Sequence, residues 1–253
     1  MISPDRQHGS PSLRAMALVD ALAFWFRRQA LFWTLALPVA GFGAMVAYLF
    51  EARIEFDLMR DHWAWSFLFT VLYALFLDRW MKETLLDGDL LGDSDALRQS
   101  TLGARAISLA ILTWLIVLAS ALGPYAELNV LACAAVAAMF VLVLPALAAN
   151  ESLGLSEAYT LGRPHRARIF LMVFGAMLLS LIAGLLLDRL APLLPHRMWV
   201  PAALAAAQRL VDCLLLALVG YDLAVLFRTR TDWQAPLPEG LDYSGVRIRA
   251  RNA

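Results

Sequence analysis

Long apolar runs alternate along this chain with short polar segments in which arginine is the commonest charged residue. A helix that crosses the hydrocarbon core of a bilayer needs about 20 mostly apolar residues. Six runs approach or meet that length: residues 31–50, 63–80, 106–123, 129–149, 169–187 and 210–227. The pattern predicts an all-α fold, a polytopic integral membrane bundle of six transmembrane helices with short interfacial helices. Residues 1–30 read as a cytoplasmic segment carrying an amphipathic helix, 31–228 as the transmembrane domain, and 229–253 as a loosely ordered cytoplasmic tail.

Basic residues near the ends of transmembrane helices stay on the cytoplasmic side. Of the 21 Lys and Arg, sixteen fall in the N-terminal segment, the second and fourth loops and the C-terminal tail, and five in the remaining loops. Both termini are therefore expected in the cytoplasm. Aromatic placement points the same way, because Trp and Tyr favour the headgroup level where a ring is half wet. Trp25, Trp33 and Trp80 fall at inner ends, and Trp63, Trp65, Tyr125 and Trp199 at outer ends, with Trp114 alone in mid-span.

Composition excludes a soluble reading. Apolar residues make up 61% of the 253, against about 45–50% in ordinary globular chains, and mean hydropathy is +0.65. The 21 basic residues are balanced by 21 acidic ones, so no bulk field recruits nucleic acid. Cys133 and Cys213 both lie in apolar runs, where a thiol acts as a small apolar group and suggests neither zinc nor a disulfide. Pro4, Pro11, Asp20 and Arg27-Arg28 interrupt the start of the chain, so a cleavable leader is not expected.

An internal repeat joins the two large inner loops. Gly92-Asp93-Ser94-Asp95-Ala96-Leu97 matches Gly154-Leu155-Ser156-Glu157-Ala158-Tyr159, and each is followed by basic residues and an apolar run. Ser94 and Ser156 read as N-caps of interfacial helices. With the amphipathic run after Ser12, the chain reads as three units, each an interfacial helix, a basic hinge and a transmembrane hairpin.

Ionisable side chains at membrane depth cost about 2.5–3.5 kcal/mol each on insertion scales and usually mark function. The first five runs have none in their interiors. Their hydroxyls, Thr34, Tyr73 and Ser180 among them, are expected to bond helix backbones. The sixth run carries Arg209 and Asp212 at its outer end, three apart on one face and able to pair, with Arg209 expected to snorkel outward. Tyr221 and Asp222 lie nearer its inner end, and Asp222 is expected to pair with Arg105, Arg166 or Arg168. A polar cavity facing the periplasm is the functional alternative for the outer group.

Asp87, Asp89, Asp93 and Asp95 imitate a calcium loop, but Leu91 and Arg98 stand where oxygen ligands are needed. The four histidines are scattered over both sides, so no metal, cofactor or catalytic residue is assigned. Ala176, Ser180 and Gly184, and Ala134 with Ala138, form small-residue stripes for close helix packing. Pro38 and Pro145 are candidate kinks.

Leu155-Ser156-Glu157-Ala158-Tyr159-Thr160-Leu161-Gly162-Arg163, followed by Arg166-Ala167-Arg168-Ile169-Phe170, and Tyr221-Asp222-Leu223 with Arg228 and Arg230 behind it, resemble segments of bacterial six-helix proteins related to the membrane domain of glycerophosphoryl diester phosphodiesterases. Here the arginines follow Leu223 at a distance, and Tyr159 stands where a Trp-containing segment is frequent. The resemblance implies a non-catalytic module of the bacterial inner membrane, associated with envelope or lipid homeostasis.

The expected function is accordingly a non-enzymatic membrane module that binds lipids or another membrane protein. Arg27, Arg28, Arg105, Arg163, Arg166 and Arg168 are the candidates to grip anionic phospholipid headgroups, at about 1 kcal/mol per nearby basic residue. The alternative is a small-molecule or ion transporter or channel subunit using Arg209, Asp212 and Asp222. Oligomeric state is open.

Overall fold

A computed structural model describes residues 11–51, 62–87, 102–121, 126–195, 197 and 199–234. Among the described residues there is no strand, and the chain is a helical bundle. Its helices are α1 (Pro11–Arg27), α2 (Gln29–Glu51), α3 (His62–Leu85), α4 (Leu102–Ala121), α5 (Ala126–Phe140), α6 (Val143–Ala148), α7 (Leu155–Gly162), α8 (Arg166–Leu190) and α9 (Trp199–Thr231).

Three stretches are long and apolar enough to cross a membrane: Gln29–Glu51, Leu155–Leu193 and Trp199–Thr231. Three, rather than the six expected, thus meet both criteria among the described residues. The run at 63–80 lies in α3, 24 residues long, whose final turns carry Asp78, Arg79, Lys82 and Glu83. The run at 129–149 is broken between α5 and α6. Pro145 accounts for that break. In an unbroken helix the N–H of residue 145 would bond the carbonyl of Val141; proline has none, and the Val141 carbonyl instead accepts from the N–H of Leu144 at 3.0 Å.

Asn150, with φ at 58°, closes α6 in a Schellman arrangement. Its N–H bonds Leu147 O at 3.1 Å and the N–H of Glu151 bonds Ala146 O at 2.9 Å. The helix after it starts two residues earlier than the sequence pattern suggested. Gly154, not Ser156, is its N-cap, and Glu157 reaches back to accept from the Gly154 N–H at 2.9 Å. A glycine has no side chain to complete the reciprocal bond of a capping box. The other copy of the repeat, with Ser94, lies outside the described residues.

The long helix α9 is the axis of the bundle, packed by α2, α3, α8 and α1, while α4 and α5 close the circuit between α3 and α8. The apolar core gathers around Trp80, which is fully buried. Its ring meets Phe24 edge to face at 5.3 Å and stacks on Phe76 at 6.1 Å. Trp80 is therefore not the half-wet interfacial residue its position suggested. Its indole N–H donates to Ala217 O on α9 at 2.9 Å, which satisfies the one polar atom that would otherwise seek water. Gly220 permits that approach: a Cβ there would stand 3.2 Å from Leu77 Cδ2 and 3.5 Å from Trp80 Cδ1.

Near the Arg228 end of α9, the Arg228 guanidinium donates to Leu85 O and Asp87 O, at 3.3 and 2.8 Å. A cation thus sits on the free carbonyls that end α3. Arg27, at the end of α1, pairs with the Asp87 carboxylate at 2.9 Å.

Candidate functional site

Helix α9 begins at Trp199, eleven residues before the expected start of the last apolar run, and its 33 residues span about 50 Å. Arg209 and Asp212 consequently lie about 15 and 20 Å along it, well inside the helix rather than at its end. Tyr73 is near the middle of α3 and Ser180 near the middle of α8. The packing of α3 and α8 on α9 brings these side chains together.

Asp212 is the centre. One carboxylate oxygen accepts from the Tyr73 hydroxyl at 3.0 Å and from Arg209 Nη1 at 3.1 Å. The other accepts from the Ser180 hydroxyl and from Gln208 Nε2, the latter at 3.0 Å. Gln208 also donates to Ser180 O at 3.1 Å, and Arg209 Nη1 to the Tyr73 oxygen at 3.3 Å. The Arg209 guanidinium lies 4.4 Å from the centroid of the Phe69 ring, a cation–π contact. Arg209 therefore does not simply snorkel outward. It neutralises Asp212, whose side chain is only 13% exposed, and the pairing offsets the cost of holding either charge at depth.

Two glycines make the room. A Cβ on Gly43 of α2 would stand 2.7 Å from Arg209 Cγ, and one on Gly184 of α8 would meet Gln208 Oε1 at 3.6 Å. Tyr73 and Ser180, expected to bond helix backbones, instead aim their hydroxyls at the Asp212 carboxylate; Thr34 does behave as expected, donating to Ala30 O and Leu31 O. A usable signal was present. An ionised carboxylate has about four acceptor positions, and Arg209 cannot fill them all, so hydroxyls at matching depth on neighbouring helices were the candidates.

A cavity of about 610 Å³ opens above this cluster toward the Trp199 end, with Gln208 and Arg209 among its lining residues beside Glu51, Asp188 and Arg197. Gln208 Oε1 and Arg209 Nε are buried there with no hydrogen-bond partner in the protein. On the opposite side lies a cavity of about 490 Å³ that touches Tyr73, Ser180 and Asp212 and is otherwise lined almost wholly by apolar side chains, with Thr70 and Cys133 the remaining polar ones. A third, of about 340 Å³, shares Ala176, Leu215 and Val219 with the second and reaches Arg168 and Asp222.

Asp222 pairs with Arg168 of α8, and Tyr221 packs its ring 5.2 Å from that of Phe24. The other expected headgroup arginines divide. Arg27 pairs with Asp87, and Arg105 Nε lies 3.8 Å from Asp78. Arg166 donates to Tyr159 O at 3.1 Å and stacks on that ring at 3.6 Å. Arg28 and Arg163 are exposed. The charged partners of Arg27, Arg105 and Arg168 are supplied by the protein itself, which weakens their claim on an external anion. Among the described residues no three His, Cys, Asp or Glu side chains come together.

No family model, no curated protein and no solved structure matches the chain.

Proposed function

We propose that this is a multi-pass protein of the bacterial inner membrane, with six crossing segments and both termini in the cytoplasm, that binds a lipid in the bundle without transforming it. The lengths of α3 and α4, and the reading of α5 with α6 as one proline-broken run, support the six crossings. The observation that carries lipid binding is the 490 Å³ cavity among α3, α4, α5, α8 and α9, apolar except at its rim and capped by the Tyr73–Asp212–Ser180 bonds. It flanks the middle of α9, a helix long and apolar enough to cross a bilayer, and its size falls in the ligand-pocket range of about 300–1,000 Å³. A hydrocarbon chain fits such a lining; an ion or a polar solute would lose its hydration there without replacement.

The test is photo-crosslinking in membranes with a phospholipid that carries a diazirine on its acyl chain, followed by peptide mapping. Labelling concentrated around Ala137, Ala176 and Leu215, and reduced at least tenfold by Ala137→Trp, is the expected result. Labelling spread evenly over the lipid-exposed faces of the bundle would defeat the proposal.

A second reading, transport of a small polar solute, draws on the 610 Å³ cavity with Gln208 and Arg209 at its floor. Solute flux into proteoliposomes that is lost in Arg209→Met would favour it.

A further inference from the structure

We infer that the seam between α8 and α9 is a route along which a zwitterionic phospholipid of the surrounding bilayer carries its headgroup from one leaflet to the other. This rests on the lipid-binding reading and extends it from occupancy to passage. Three observations converge on it. The cavities form a series along one side of α9: the first ends on Gln208 and Arg209, the second begins at Ser180 and Asp212, and the third continues from Ala176 and Leu215 to Asp222. Together they follow the helix from its Trp199 end past its middle to the depth of Arg168.

The two constrictions are chemically alike. Each is closed by one arginine and one aspartate, Arg209 with Asp212 and Arg168 with Asp222. Such a pair complements a headgroup that bears one phosphate and one ammonium. The phosphate takes the guanidinium N–H donors in charge-assisted bonds and the ammonium takes the carboxylate. An arriving headgroup therefore replaces the internal partner of each charge, so neither is left bare at depth. An anionic headgroup without an ammonium would satisfy the arginine and strand the aspartate.

The seam is also lightly closed. Ile169 is the one buried residue of α8. Among the described residues, the polar bonds joining α8 to α9 are those of Ser180 with Gln208 and Asp212 and of Arg168 with Asp222. These are the two constrictions. The polar contacts that join the two helices and the contacts a headgroup would displace are the same.

The experiment uses full-length protein in vesicles of phosphatidylethanolamine and phosphatidylglycerol, with a trace of either lipid labelled with a fluorophore on its acyl chain. A membrane-impermeant reductant bleaches the outer leaflet, and bleaching beyond the outer-leaflet share measures exchange. The expected result is exchange of the phosphatidylethanolamine probe at least tenfold faster than in protein-free vesicles and faster than that of the phosphatidylglycerol probe. Ala176→Trp and, independently, Leu215→Trp should each return the rate to the protein-free level, in whichever of them elutes as the wild type does in detergent. No exchange by wild-type protein that still takes the acyl-chain photolabel overturns passage and leaves binding standing. Equal rates for the two probes overturn the headgroup assignment. Exchange undiminished in a folded Trp variant overturns the route, and absence of photolabel from the cavity overturns the lipid-binding reading itself.

Discussion

Asp212 shows how much of a membrane site is decided by acceptor positions. Its carboxylate draws donors from three helices, and each donor has its own reason to be there: Arg209 by helical spacing, Tyr73 and Ser180 by matched depth, Gln208 by one turn of α9. Removing one partner strands the others. Asp212→Leu and Arg209→Met should each lower stability in detergent, by about 1.5–3 kcal/mol, the worth of hydrogen bonds to a charged group. The double variant should be less destabilised than the sum, because an ion pair replaced whole leaves no orphan charge. Thermal unfolding of the four proteins checks this, and strict additivity would show that the two side chains do not depend on each other. Gly43→Ala should cost about 1–3 kcal/mol through overpacking, since its methyl would fall 2.7 Å from Arg209 Cγ. The gap should close in Gly43→Ala/Arg209→Ala, which removes that Cγ, if the clash is with that side chain.

At the scale of elements, the contact of α3 with α9 is fixed by Trp80. Trp80→Phe keeps most of the apolar volume and deletes the bond to Ala217 O, so the expected loss is about 1 kcal/mol. Trp80→Ala should cost about 3–5 kcal/mol. Unfolding midpoints in one detergent separate the two; an equal loss in both variants would assign all of the effect to the hydrogen bond. This residue also marks a limit of pattern reading. A tryptophan at the end of an apolar run is compatible with a headgroup or with a core, and the choice rests on whether another helix offers an acceptor, which no local window contains. The start of α9 was hidden for a similar reason. Gln208 and Arg209 ended the apolar run, yet the alanines before them are strong helix formers, and the charge that broke the hydropathy pattern is neutralised by a residue one turn later and hydrogen-bonded to a tyrosine on α3. The break at Pro145 was legible because its cause, a missing N–H, is local. Helical class and the pairing of Arg209 with Asp212 came from spacing; the roles of Tyr73 and Ser180 required the packing.

For the whole molecule, the arginine asymmetry makes a prediction independent of the site. Reporter fusions at Asp5 and at Ala250 should both give the cytoplasmic signal, and opposite signals would require an odd number of crossings. Charge placement and bundle geometry are consistent at one end: Arg27 and Arg228 both converge on the end of α3, on Asp87 and on its terminal carbonyls. Arg27→Ala with Arg228→Ala should loosen that end, read as faster amide hydrogen exchange in the last turn of α3 with the Asp212 region unchanged.

Gly220, where α3 presses on α9 through Trp80 and Leu77, stands eight residues from Asp212 in one direction and eight from Arg228 in the other. Eight residues of helix measure about 12 Å. Were that stiff rod to tilt about the Gly220 contact, its two polar anchors, Asp212 and Arg228, would move by equal amounts in opposite directions.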